Sequence, residues 1–561
     1  MSAINYGGTS SSSSISSSTP SSTSKAQVDT EVQEVDVGSH IAPGAPVERH
    51  NPLGRNVTLW TAIMLNLGAL LGPGIFAVTG VILNSVGSVG LLLTFWLITP
   101  IFAFAAVLAF GELASMFPDR SGATVVYLEQ AYPRPKFFVP IAFAVTSVLT
   151  SFSGTSSVVF AQYVLSIFDL EVTPYRQTVL ALAVAAFGIG VVGTSTKWSL
   201  RAVNILTIAK VLSLIFVALT GIAVLAGFTR IEDPFANFQH LFRGSSTNLN
   251  ALATALVKTH WAFYGWVNSF SVLSEIKTAQ PARTARNAAL ISVALVTLLF
   301  FFVNVAYVAS VPIDEIKGSG QLVASLMFKH VFGESWTAKC LPVMVALSCL
   351  GNIIAITVGQ ARVLREVARQ GMLPYPQFFA STHPFGTPLG PVLIKLALTV
   401  TVILLLPAKD TFNFLLDLAS YPNLVFQVAA GAGVWVLRRR RAKEGLPRAP
   451  LEVWNVVLVL YLAQNVVQIV VPWVPPEPGH ADVSFWYATY CVVGLGILVA
   501  CAVYYYIWII YLPRRGGYEI VEKVVDLGEG AFTSSLTRKY HGQSDEDEDG
   551  DEEERPLLAG S

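Results

Sequence analysis

Twelve apolar stretches divide the chain, at residues 57–85, 88–116, 136–167, 176–195, 201–228, 249–274, 287–311, 337–361, 390–407, 410–437, 451–473 and 484–512. A helix rising about 1.5 Å per residue over any of them can cross a hydrocarbon core about 30 Å thick. The pattern predicts an all-α polytopic membrane protein with twelve transmembrane helices. The long polar stretches stand at the ends: residues 9–24 are nearly all Ser and Thr, and residues 544–554 nearly all Asp and Glu.

Two of the stretches are interrupted near mid-depth. In the first, LLGPGIF at 70–76 sets Gly72, Pro73 and Gly74 where helix propensity is poorest, and Pro73 has no N–H to give to a helical ladder. The helix is expected to break there and restart near Ile75. Broken backbone at that depth persists only where protein or a watery cavity satisfies the freed N–H and C=O groups, so the break implies a cavity. The restarting half-helix aims N–H groups and its positive dipole end at that cavity, which suits a carboxylate. In the sixth stretch, HWAFYGW at 260–266 places Gly265 among bulky aromatics. A packing kink would explain either break alone. Paired breaks in corresponding halves point instead to a transporter built from inverted repeats, with its site between them. Spans one to five and six to ten are then the repeats, and the last two spans are additions.

Composition supports the membrane reading: 53% of residues are hydrophobic, 13% are charged, and mean hydropathy is +0.57. A formal net charge of zero gives no reason to expect a nucleic-acid partner. Placement of the charges is more informative. With the N-terminus in the cytoplasm, the inner loops hold Arg120, Arg134, Lys136, Arg283, Arg286, Arg365, Arg369 and the arginines at 438–441, whereas the outer loops hold few cations, among them Lys317 and Lys409. The positive-inside rule selects this orientation, with both termini cytoplasmic. No apolar core precedes Val57, so the first span is expected to serve as its own insertion signal. Cys340, Cys349, Cys491 and Cys501 lack CxxC or metal-ligand spacing and read as packing residues. Glu553 with Leu557 and Leu558 fits an acidic dileucine pattern read by sorting adaptors.

Four motifs carry a family resemblance: LLGPGIF at 70–76, GELASMFPDRSGATVVYLEQAYPRPKF at 111–137, WAFYGWVNSFSVLSEIK at 261–277, and ARVLREVARQGMLP followed by THPFGTP at 361–388. Together they span roughly residues 55–440. The chain resembles the amino acid-polyamine-organocation superfamily, in its L-type amino-acid transporter branch, and most closely the fungal high-affinity methionine permeases. The resemblance implies a LeuT-like bundle of five plus five helices with two more, and uptake of an amino acid, methionine first, with no cofactor. It also implies roles for residues. Gly72, Gly74 and Ile75, continuing to Phe76, match a carboxylate-binding loop, in which Pro73 here replaces a Ser or Thr and removes a hydroxyl and a backbone donor. Phe263, Tyr264 and Gly265 match the break whose carbonyls receive the substrate ammonium, and Trp261 matches an aromatic lid that gates the site. An indole lid is compatible with a thioether side chain. Lys210, alone among apolar residues in the fifth span, matches a lysine of proton-linked relatives and marks the proton as coupling ion. Snorkelling to the inner surface is its other reading.

Glu112, in GELASMFP, reads as the structural partner of an inner arginine ahead of a direct coupling group, and Glu275 as an inner gate or packing partner ahead of a substrate contact. His260, Asn268 and Asn352 either line the path or join helices. An enzyme is excluded, since no nucleophile, metal cluster or paired carboxylate shows ligand spacing and the eight histidines form no HxxxH or HExxH pair. Two transport-related rivals remain: a large-neutral amino-acid exchanger, and a nutrient receptor that binds without transport. Exchangers of this branch often pair with a glycoprotein through a cysteine before the fourth span. Residues 169–175 contain none, so no obligatory glycoprotein subunit is expected. The expected organisation is a disordered cytoplasmic tail at 1–56, a transporter core at 57–437 with repeats 57–228 and 249–437, two further helices at 438–512, and an acidic cytoplasmic tail at 513–561. Resemblance to uptake permeases favours the plasma membrane, and the dileucine a vacuolar or endosomal one.

Overall fold

The computed structural model describes residues 54–229, 231–320, 322–333, 336–373, 375–405, 411–476, 486–526 and 532–540. The Ser-rich stretch, the acidic run and the dileucine at Glu553, Leu557 and Leu558 lie outside the described residues.

Helix occupies each of the twelve apolar stretches, and among the described residues nine helical spans are long and apolar enough to cross a membrane. The protein is an all-α polytopic membrane protein in its apolar body. The other three stretches are the interrupted sixth, the shorter helix Leu389–Leu405, and Thr411–Lys443. The first span is the most enclosed of the nine, packed against Thr196–Leu225, Pro281–Ser310 and Trp336–Arg369.

The first and sixth spans run antiparallel, side by side. Val57 N–H donates to the Glu275 carbonyl at 3.0 Å and Lys277 N–H to the Val57 carbonyl at 2.9 Å. Further along, Asn66 Oδ1 accepts from Ser269 N–H at 2.9 Å, and Asn66 Nδ2 donates to Ser269 Oγ at 3.1 Å. Both helices break where they next meet. The first runs Leu59–Leu70, restarts as a turn at Gly74–Ala77, and continues as Thr79–Val86 to a left-handed Gly87. The sixth runs Leu249–Ala262 and resumes only at Asn268–Ser271.

Several boundaries differ from the pattern. The third stretch, read as one helix over 136–167, is two, Phe138–Leu149 and Gly154–Ile167. No proline breaks it. Hydroxyls compete with the ladder around TSFSG at 150–154: its own Thr150 Oγ1 donates to the Thr146 carbonyl at 2.9 Å, and Thr399 Oγ1, from helix Leu389–Leu405, accepts the Ser153 N–H at 3.1 Å. The tenth helix runs on to Lys443 through the arginines at 438–441, which stand where a helix C-terminus favours cations. The last span passes through a π-helical turn at Tyr506–Tyr511 and ends at Gly516 rather than 512. The tail read as starting at 513 instead carries an antiparallel hairpin, Tyr518–Asp526 with Phe532–Tyr540, which buries Ile520 and Leu536.

Buried ion pairs tie together the end of the molecule that holds Arg120 and Arg369. Arg438 grips Glu112 through Nε and Nη2, both at 2.6 Å, and Val453 N–H donates to the same carboxylate at 2.9 Å. Arg120 bridges Glu129 at 2.7 Å and Glu366 at 2.8 Å, and Glu366 also holds Arg369 at 2.7 Å. Burial works against the charge on Arg120, but the two carboxylates outweigh it and hold the guanidinium above its ordinary pKa.

Candidate functional site

Backbone accounting at the first break explains its surroundings. The Gly68 carbonyl accepts from Lys210 Nζ at 2.8 Å, the Ala69 carbonyl from Asn352 Nδ2 at 2.6 Å, and the Leu71 carbonyl from Ser348 Oγ at 2.8 Å. Asn352 Oδ1 in turn accepts from Ser156 Oγ at 2.8 Å. Lys210 is buried, with its ammonium on the first break and not at a surface. Gly351 makes room for it, because a Cβ there would lie 2.9 Å from Lys210 Cε.

Missing Cβ atoms also let the two breaks touch. A Cβ on Gly265 would lie 2.7 Å from the Leu70 nitrogen, and one on Gly74 would lie 3.0 Å from Ala262 Cβ. One on Gly72 would lie 2.4 Å from Asn352 Nδ2. These glycines set the spacing of two backbones.

Beside the breaks lies a cavity of about 210 Å³, lined by the sixth span through His260, Trp261, Tyr264, Gly265 and Asn268 and by the first through Ala69. The broken third span contributes Thr150, Phe152 and Thr155, the eighth Gln360, and the tenth Asn423 and Gln427. At its far end the cavity meets Gly122, Ala123 and Thr124, next to Arg120.

The sequence candidates divide into three groups. His260, Trp261, Tyr264, Gly265 and Asn268 meet at the cavity. Gly72, Pro73, Gly74, Ile75 and Phe76 are buried beside it without lining it. Phe76 N–H donates to the Pro73 carbonyl at 3.1 Å, while the N–H groups of Gly74 and Ile75 have no backbone acceptor among the described residues. Trp261 touches both regions: it lines the cavity, stands edge-on to Phe412 at 6.2 Å, and has its ring edge 3.4 Å from where a Gly74 Cβ would lie. The Phe263 ring turns away, into a cluster with Trp96 and Phe300 at 5.9 and 5.5 Å. Elsewhere Glu112 sits under Arg438, and Glu275 takes both arms of Arg362 at 3.0 and 3.4 Å.

The sequence reading passed over other residues. Gln427 donates to Tyr264 Oη at 2.8 Å, and Gln464, on helix Asn455–Val470, stands 3.0 Å from His260 Nδ1. Lys395 is buried and donates to Gln360 on the cavity wall. A lone lysine in VLIKLAL carries the same signal as Lys210. Lys258, which the sequence places with His260 on the outer half of the sixth span, lies 3.7 Å from Asp417. Gln427 and Gln464 carry no comparable signal, since only their contacts give them a place.

Residues 57–517 match the family model described as Amino acid permease. The chain is 30% identical over 541 residues to the high-affinity methionine permease of Saccharomyces cerevisiae, covering 94% of this chain and 93% of that protein. It is 26% identical over 495 residues to the low-affinity methionine permease of the same yeast, covering 87% and 88%. It is 27% identical over 398 residues to the cystine/glutamate transporter of Homo sapiens, covering 70% and 76%.

The contact between the breaks predicts a contrast among glycines. Gly265→Ala forces a Cβ onto the Leu70 backbone and is expected to destabilise the protein by about 1–3 kcal/mol. Gly190→Ala and Gly496→Ala, where a Cβ meets nothing within 4 Å, are expected to be neutral or stabilising. Thermal unfolding of the purified variants in detergent checks both, and equal effects at the three positions would refute the contact.

Proposed function

Given that the chain belongs to the amino acid permease family, we propose that it imports a neutral amino acid, methionine first, by proton symport through alternating access. The observation that carries this reading is the cavity set against both broken helices, with Trp261, Tyr264 and Gly265 in its wall. Methionine permeases among the relatives support the substrate. The Gly74 and Ile75 N–H groups are the proposed carboxylate donors, since Pro73 offers none and Phe76 is already bonded. Carbonyls of residues 263–265 take the ammonium. Trp261 is the lid, which must move aside for a substrate carboxylate to reach Gly74.

Lys210 is the proposed coupling residue. An ammonium on the first break's own carbonyl links protonation to the element that binds substrate, and repels sodium there. The two sets of five spans are the proposed inverted repeats. The cavity extends toward the end with Arg120, which positive-inside charge assigns to the cytoplasm, so this conformation is read as closed, with its exit on the cytoplasmic side. The plasma membrane is the proposed location and no glycoprotein subunit is needed.

Three measurements test this. Labelled methionine uptake should rise as external pH falls and collapse with a protonophore, and Lys210→Ala should lose accumulation more than binding. Sodium-driven accumulation that resists the protonophore would overturn proton coupling. At the pocket, Gly74→Val should abolish uptake while the protein still inserts, and Trp261→Ala should raise the half-saturation concentration; normal kinetics in an inserted Gly74→Val protein would refute the placement.

The third reads orientation and location together. In a Cys340→Ser background, which removes the exposed thiol, an impermeant reagent on intact cells should label Lys317→Cys and spare Arg440→Cys. Removing residues 551–561 should raise that labelling if adaptors read the dileucine. The reverse pattern of labelling would sink the orientation.

A further inference from the structure

Tyr264 brings a phenol to the cavity wall, and the groups behind it decide what that phenol can offer. Gln427 donates its Nε2–H to Tyr264 Oη at 2.8 Å. On its other side, Gln427 Oε1 lies 2.5 Å from Tyr461 Oη, which also lies 3.2 Å from the Gln427 carbonyl. Both atoms facing Tyr461 are acceptors, so Tyr461 donates. With the amide held this way, its Oε1 toward Tyr461 and its Nε2 toward Tyr264, donation runs from Tyr461 to Gln427 to Tyr264, and Tyr264 Oη receives on the Gln427 side. Its own proton points elsewhere, and among the described residues no protein acceptor takes it. Tyr264 is half-buried and faces the cavity, while Gln427 and Tyr461 are buried behind it.

We propose that the relay from Tyr461 through Gln427 to Tyr264 presents a fixed hydrogen-bond donor to the substrate side chain, selecting one that carries an acceptor over a hydrocarbon of equal length. Tyr461 belongs to helix Asn455–Val470, beyond the ten spans read as the core, and does not line the cavity. It and Gln427 act as positioning residues, through Tyr264. The inference rests on reading this cavity as the amino-acid site. A thioether sulfur is a weak acceptor, and the methylene that replaces it in norleucine is none. A donor facing that methylene loses its water without gaining a partner, and this difference provides the selection.

The test is uptake of labelled methionine with norleucine as competitor. The wild type should prefer methionine. Tyr264→Phe should lose the preference, with KM for methionine rising about two- to tenfold and the maximal rate little changed. Tyr461→Phe frees the amide to turn and take the Tyr264 proton itself. It should lose the same preference, and the double variant should be no worse than Tyr264→Phe. A purely structural Tyr461 would lower surface amount and uptake of both compounds alike while keeping their ratio; that result, or a wild-type ratio in Tyr264→Phe, overturns the proposal. Should Tyr461→Phe be poorly made, Gln427→Glu carries the test, because a carboxylate accepts from both tyrosines and draws the proton from the cavity; an unchanged ratio there is equally fatal. Failure of the wild type to take up methionine overturns both the functional reading and this inference. An unchanged ratio in an active transporter overturns the inference alone.

Discussion

A helix interrupted in hydrocarbon must find a partner for every backbone group it frees, and the core is arranged around that demand. Each carbonyl left bare at such depth would cost several kcal/mol. The first break meets the demand with three side chains from two other helices, Lys210 on one and Asn352 and Ser348 on the other. These donors also fix the first span against the fifth and eighth. A protonated lysine is an expensive choice for a task that asparagine and serine perform as well. An amine that has lost its proton still has N–H groups to give, so the Gly68 carbonyl need not be orphaned when charge leaves. That property makes Lys210 compatible with a cycle in which Asn352 and Ser348 stay constant.

Close approach is the second condition. The breaks meet backbone to backbone because Gly74 and Gly265 carry no Cβ. Around them the sixth span keeps enough helical periodicity to sort its side chains: Trp261, Tyr264, Gly265 and Asn268, spaced at i, i+3, i+4 and i+7, line the cavity, while Phe263 joins Trp96 and Phe300. Aromatic bulk on one face and glycine on the other give a rigid wall next to a flexible backbone.

The spans and both breaks were legible because length, hydrophobicity and Gly-Pro chemistry are local properties. The stripe at 261–268 was legible for the same reason. The third break was not, since TSFSG contains no proline and lies in an apolar stretch; only the Ser153 N–H meeting Thr399 on another span makes an interruption tolerable there. The strand pair Tyr518–Asp526 and Phe532–Tyr540 was hidden by acidic composition further along. Lys395 could have been singled out by the argument that singled out Lys210, whereas its partner Gln360 reads from sequence as path or glue and is placed on the cavity wall only by the structure. Gln427, Gln464 and Tyr461 show the general limit: a polar residue in a helix reads as path or glue until the residue opposite it is known.

The ion pairs at one end bear on how such a cavity would open. Glu275 with Arg362, and Arg120 with Glu129 and Glu366, are almost fully enclosed. Pairs of that kind are poor sources of stability, because the desolvation of two charges roughly cancels their attraction. The same cancellation makes them easy to exchange for hydration, provided both partners are released together. They join the end of the sixth span and the Gly122 loop to the eighth span, at the end toward which the cavity extends. Gly122 and Ala123 both hold positive φ, so that loop is already in a conformation set by its surroundings rather than by its own preference. On the proposed reading, separating these pairs would open the cavity to water at small net cost, whereas separating only one partner would leave a buried charge alone. An exit built this way is closed against partial opening and permissive toward concerted opening, which is what alternating access requires of it.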